Sequence, residues 1–278
     1  MNTDSTFPNI DWKPAYETKM TSDNGFLGLN SIIAKIAFVL LVVIVFFILV
    51  RLGTVLLAKL YAPSSSPYLH KGAKDAKKQS IITQNPKDSG SIPVIRSRNQ
   101  RDGLEFTYSV WIYVDDLEYL RGQYRHIFHK GNDTISFKQP SYGLNFPNNA
   151  PGLYIHPDRN ALVVIMNTFK TINEEIIIDD IPLNKWINVV IRVEGRNVDV
   201  YVNGNMAVRK VLSSVPKQNY GDVFVNMNNG FSGLLSNLRY HSYALSGVDI
   251  ENMVKAGPNL TADDSMKIFP PYFSLRWF

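Results

Sequence analysis

The side chains in this sequence best suited to chemistry are carboxylates, histidines and amides that lie close together. The acids are Asp115, Asp116 and Glu118, the neighbours Glu174 and Glu175, the neighbours Asp179 and Asp180, and Glu194 with Asp199. Two carboxylates can cleave a glycosidic bond, and a retaining mechanism holds them about 5 to 5.5 Å apart. These spacings argue against that use. Successive strand residues point to opposite faces, so the Glu174 and Asp179 pairs diverge. Asp115 to Glu118 follow a strand into a loop, and Glu194 and Asp199 flank a turn. We read all of them as solvated edge and turn residues and expect no enzyme.

His126 and His129 are three apart, which places them on opposite faces of a strand and makes them poor joint metal ligands. His70, His156 and His241 are isolated, and the absence of Cys removes disulfides, thiolate metal sites and cysteine nucleophiles. No Gly-rich phosphate loop follows a strand, and no Ser stands beside a His and an acid. No cofactor is expected. What remains is recognition. Asn132-Asp133 and Asp158-Arg159-Asn160 could offer oxygens to a glycan or Ca²⁺, and Tyr142 or Tyr154 a ring for a sugar to stack on. Asp133, Asp158 and Tyr154 are the glycan or calcium candidates, although Asp and Asn at such places also serve as turn formers.

The elements that must carry these groups are strands. In Leu104 to Val114 the positions Leu104, Phe106, Tyr108, Val110, Ile112 and Val114 share one side, which predicts a strand with a buried face. Further strands are predicted over 124–129, 152–156, 161–168, 175–178, 186–193, 198–202, 206–212, 222–226 and 231–240, with a short helix over 248–255. Asn203-Gly204 accepts positive φ at both centres of a tight hairpin turn. Many short strands with almost no helix imply an all-β antiparallel sandwich or barrel over residues 102–256.

Before that domain, Ile36 to Val50 is an unbroken apolar run between Lys35 and Arg51. Extended back to Ile32 it makes roughly 28 Å of helix, close to the hydrocarbon thickness of about 30 Å. It is apolar all round, unlike a core helix, and an acidic-leaning segment precedes it, unlike a signal peptide. A single-pass transmembrane helix is therefore predicted within residues 31–60, with Ile36, Phe38, Leu41, Ile44, Phe47 and Val50 in the lipid. Residues 1–30 form a polar segment that carries Asp4, Asp11, Glu17 and Asp23, whereas Arg51, Lys59, Lys71, Lys74, Lys77 and Lys78 follow the span, so the C-terminal side is expected in the cytosol. The sequons at Asn132 and Asn259 would then lie away from the lumen.

Residues 61–101, rich in Pro, Ser and Lys, read as a basic flexible tether. If helical, Lys71, Lys74, Lys77 and Lys78 would share a face for anionic lipid. Residues 257–278 end in a dense aromatic tail whose Phe269, Tyr272, Phe273, Trp277 and Phe278 would pack on their own sandwich or dock in a partner. A chain of 278 residues with 45% hydrophobic content suffices for one anchor and one domain, and its net charge of +5 suits lipid or an acidic protein better than nucleic acid.

Phe106 to Tyr113, Ile127 to Gly131, Trp186 to Val193, Val200 to Gly204, Phe231 to Tyr240 and Tyr243 to Ser246, in that order, resemble the strand motifs of the concanavalin A-like lectin/glucanase superfamily, in its laminin-G-like branch. The resemblance implies a jelly-roll sandwich. The catalytic Glu-x-Asp-x-x-Glu run of its glucanases is missing. The combination of anchor, tether and one such domain also resembles the membrane-associated minor capsid proteins of large icosahedral DNA viruses, of the algal-virus type. That implies a non-enzymatic protein in the internal membrane of a virion, derived from host endoplasmic reticulum. Its domain would face the shell and bind major and other minor capsid proteins. The alternative is a membrane-anchored lectin that binds glycans without cutting them.

Overall fold

The computed structural model describes residues 32–60, 62–97, 99–100 and 103–261. The chain divides into two units, one up to Ala62 and one from Pro63. The first contains helix α1, Ile32–Leu60, of 29 residues with no buried side chain. At about 1.5 Å per residue it is roughly 43 Å long. It is long and apolar enough to cross a membrane, a length and composition that an anchor and a signal sequence share.

The second unit is a sandwich of two antiparallel sheets. Its strands are β1 (Tyr68–Asp75), β2 (Ser80–Ile82), β3 (Asn99–Gln100), β4 (Gly103–Asp116), β5 (Arg125–Gly131), β6 (Asn149–Ile155), β7 (Ala161–Met166), β8 (Glu174–Asp179), β9 (Trp186–Glu194), β10 (Asn197–Val202), β11 (Asn205–Val211), β12 (Asp222–Val225) and β13 (Ser232–His241). The first sheet runs β1-β13-β4-β9-β10-β11 with β3 paired to β4, and the second runs β2-β12-β5-β6-β7-β8. Helix α2, Gly247–Ala256, is capped by Ser246, whose side chain accepts from the Asp249 N–H while Asp249 answers to the Ser246 N–H.

Every strand that the alternation predicts is present within a few residues at its ends. The even positions of β4 from Leu104 to Val114 are buried and meet Ile127, Phe128, Leu153, Leu162, Val164, Val223 and Val225 in the main core between the sheets. Asn203 and Gly204 have φ of 50° and 82°, the double positive turn that the hairpin requires.

The outer faces are covered too. Loop 132–148 lies over Tyr154, Val163 and Ile165 through Leu144, and α2 covers Val190 through Ile250.

The tether is the main correction. Residues 68–75 pair with β13 and residues 80–82 with β12, so this stretch adds one strand to each sheet. Lys71 and Lys74 lie in β1 and Lys77 and Lys78 in the turn after it, so the helical face that would have collected them does not exist. Lys77 instead sits 4.6 Å from the Tyr119 ring centre, and Lys71 is 5.2 Å from that of Tyr68. Phe269, Tyr272, Phe273, Trp277 and Phe278 lie outside the described residues.

Candidate ligand cleft at one end of the sandwich

Several strand ends converge at one end of the sandwich. There β4, β6 and β12 begin, and β5, β7 and β13 finish. The backbones approach closely at this point: a Cβ on Gly221 would lie 1.9 Å from the Gly131 carbonyl oxygen, so only glycine fits. Together with residues 84–85, 93–96 and 215–222 these ends enclose a cleft of about 740 Å³. Small-molecule sites commonly measure about 300–1,000 Å³.

Its floor is aromatic. Phe106, Tyr108 and Tyr240 line it, with Tyr108 and Tyr240 ring centres 5.0 Å apart and the Tyr240 hydroxyl donating to the Ile95 carbonyl at 2.7 Å. Burial raises the pKa of both tyrosines, so they stay neutral phenols. At the rim, Phe169 is 71% and Tyr220 87% exposed, unusual for rings of this size.

The polar groups come from three separate segments. Lys130 stands opposite Val223 across the β5–β12 ladder and so shares its inward face. Only 7% of it is exposed. Its ammonium donates to the Gly221 carbonyl, and burial lowers its pKa to about 8, partly offset by Asp222. Asp222 Oδ1 accepts from the Gln84 N–H at 2.8 Å. The Gln84 side chain in turn bridges the carbonyls of Ile82 and Ile92 and the N–H of Val94. Gln218 Nε2 donates to Ser97 Oγ at 3.1 Å, whereas its Oε1 is buried without a partner.

The residues singled out from sequence do not assemble into this site. Asp133 follows the end of β5 and Asp158 the end of β6. Because Arg125 pairs with Ile155 and Gly131 with Asn149, the two acids lie at opposite ends of the ladder, about 20 Å apart by strand length. Tyr154 is fully buried, and its hydroxyl donates to Asn149 Oδ1 at 2.6 Å, so it offers no stacking face. Asn132 is occupied between the Phe146 carbonyl and the Asn148 N–H. Among the described residues no group of three or more His, Asp and Glu comes together to hold a metal.

Two further expectations change. A register shift between His126 and Phe128 turns both Ile127 and Phe128 into the core. His126 and His129 therefore emerge on the same outer face, with His126 Nε2 and His129 Nδ1 2.7 Å apart. The tautomers follow: the Met227 N–H donates to His126 Nδ1, His126 Nε2–H donates to His129 Nδ1, and His129 Nε2–H donates to the Asn132 carbonyl. Every ring nitrogen is used, which leaves none for a metal. Asp199, read as a solvated turn residue, has no exposed side-chain surface and binds Arg192 and Arg209 at 2.9 and 2.5 Å. Burial pushes its carboxyl up, but the two guanidinium groups outweigh this and hold it below the ordinary range. Glu174 likewise joins β8 to the 213 loop through the Ser213 N–H at 3.0 Å.

Residues 87–251, more than half of the chain, match the family described as the Concanavalin A-like lectin/glucanases superfamily. Among solved structures, the receptor-binding domain of botulinum neurotoxin D is 14% identical with a TM-score of 0.46, over 69% of this chain and 43% of that one. The binding domain of botulinum neurotoxin serotype G is 12% identical with a TM-score of 0.44, over 66% and 46%. The serotype D ligand-binding domain in complex with N-acetylneuraminic acid is 14% identical with a TM-score of 0.45, over 66% and 46%. This chain thus spans less than half the length of each. No curated protein matches the sequence. The jelly-roll architecture and the matched residues together establish that the chain belongs to the concanavalin A-like lectin/glucanase superfamily.

Proposed function

We propose that this protein is a membrane-anchored, non-enzymatic recognition module whose sandwich-end cleft takes a saccharide. The observation that carries the reading is the cleft itself, with exposed aromatic faces at the rim and a buried amide oxygen without a partner inside. Sugars present apolar ring faces, which favour aromatic surfaces, and hydroxyls, which satisfy amide acceptors. Asp222 is the only carboxylate among the described lining residues, where glycosidic hydrolysis uses two. Helix α1 supplies the anchor, with the sandwich on the cytosolic side. The test is a glycan array probed with the full chain in detergent, wild type against Phe169→Ala and Tyr220→Ala. Saccharide binding that both substitutions weaken supports the reading, and a folded wild-type chain that binds no saccharide refutes it.

A second reading is the capsid tether, in which the anchor lies in the internal membrane of a virion and the domain grips shell proteins. Exposed Phe137 and Phe146 on loop 132–148 favour it as a surface for protein contact. In that reading Lys71, Lys74, Lys77 and Lys78 meet lipid headgroups, and the aromatic residues from Phe269 to Phe278 dock in a capsid neighbour. Retention on purified shells after detergent removes the lipid, lost on Phe137→Ser, supports the tether; release with the lipid sinks it.

A further inference from the structure

We propose that the cleft selects a saccharide bearing a carboxylate, a uronic or sialic acid, and that Lys130 is the residue that reads the acid. This rests on the saccharide reading of the cleft and names the class of sugar.

The argument is one of charge and unfilled donors. An ammonium has three protons to donate, and the Gly221 carbonyl takes one of those on Lys130. The side chain is almost wholly buried, so bulk water is a poor substitute for the other two partners. Asp222 acts on Lys130 and raises its pKa, but Asp222 also accepts from the Gln84 backbone. Among the described lining residues Arg96 and Lys130 carry positive charge against Asp222 alone, which leaves the cleft with a net positive field. A carboxylate entering there gains a charge-assisted hydrogen bond in a water-poor setting, where it is stronger than on the surface. A neutral sugar of the same shape offers Lys130 oxygen acceptors but no opposite charge. Gln218 Oε1, buried and without a partner, then accepts a hydroxyl of the same ligand.

Lys130 has an ordinary cationic partner's role only while it is protonated. With burial lowering its pKa to about 8, Lys130 is charged at pH 7 and discharges above pH 8. The other titratable groups that share the cleft are Asp222, Arg96, Tyr108 and Tyr240. The two tyrosines are held neutral by burial.

The experiment titrates the full chain in detergent with a glucuronate-bearing disaccharide and with its methyl ester, which has the same shape without the charge. The expected result is at least tenfold tighter binding of the acid at pH 7, a preference that shrinks about tenfold by pH 9. Lys130→Gln should lower the affinity for the acid to that for the ester, so that the preference disappears. If that variant fails to fold, the wild-type pH series against both ligands decides alone. Equal binding of acid and ester with no pH dependence overturns the role of Lys130 and leaves the saccharide cleft standing. Binding of neither ligand, nor of any neutral or sialylated oligosaccharide on the array, overturns both.

Discussion

Strand β5 serves two polar regions that treat their buried groups differently. On its outer face, beneath loop 132–148, His126, His129, Asn145, Asn149 and Tyr154 are buried, and each is paired inside the protein. Asn149 donates to the Asn145 carbonyl at 2.5 Å, Tyr154 donates to Asn149, and Asn167 carries the chain on to the Pro147 carbonyl at 2.7 Å. On the inner face at the end of the same strand, Lys130 is buried with donors left over, and the half-buried Gln218 holds a buried Oε1 without a partner. A closed network stabilises the fold and has nothing to give a ligand. An incompletely satisfied one in a cleft is a cost that a ligand can offset.

The largest expected effect that tests this contrast is on stability. His126→Ala removes the acceptor of the Met227 N–H and the donor to His129 and leaves a cavity under the loop. A loss of about 4 kcal/mol is expected in denaturant unfolding. Lys130→Gln should cost far less. If the two variants unfold alike, the network and the cleft are not different kinds of site.

Acid should find the same network next. Burial depresses the pKa of His126 well below 6.5 and that of His129 to about 4. Because the folded values lie below the unfolded ones, the unfolded chain binds more protons on acidification. Stability is therefore full above about pH 6.5 and falls as the pH drops through 4, by about 3 kcal/mol for His129 alone. A thermal unfolding series between pH 7 and pH 4 measures this. His126→Leu with His129→Leu should flatten that slope, and what remains comes from His241, also lowered to about 4, and His156, which burial lowers as well.

The two regions differ as much in how far the sequence discloses them. The strands from β4 onward follow from their alternation, and the hairpin follows from Asn203-Gly204. Strands β1 and β2 do not, because register shifts at His70 and Ala73 break the period and leave a run of lysines that imitates a linker. A single bulge brings the histidine pair to one face, and the adjacent apolar Ile127 and Phe128 are its one local sign. Nothing near Tyr154 in sequence announces that loop 132–148 folds over its ring. The cleft was invisible for a topological reason. Phe106 and Tyr108 alternate like any core pair, while Lys130, Gln84 and Gln218 gather at neighbouring ends of β5, β2 and β12, and the two sets face one another only when both sheets close. Local pattern specifies faces of strands, whereas this site belongs to their ends.

At the rim the contrast turns from stability to binding. Phe169→Ala and Tyr220→Ala remove exposed rings, so unfolding should shift little. Each should weaken saccharide binding by about 1.5 kcal/mol, roughly tenfold, in a calorimetric titration. A stability loss instead would mean that these rings brace the loops and leave the cleft without its stacking faces.

The smallest expected effect is the most discriminating. Gln218→Leu gives up one hydrogen bond to Ser97 Oγ and at the same time abolishes a buried acceptor that has no partner. Losing the bond costs about 1 kcal/mol, and removing the orphan returns a similar amount, so the net change in unfolding free energy should be near zero. In the paired network a deletion strands a partner and removes no orphan, so its cost has no such offset. Binding should respond in the opposite sense, with affinity for the saccharide falling about fivefold as its hydroxyl loses the Oε1 acceptor. A variant of unchanged stability and weakened binding marks Gln218 as a group kept for a ligand. Unchanged binding would place the orphan oxygen among the imperfections of the fold and remove the amide from the cleft's recognition chemistry.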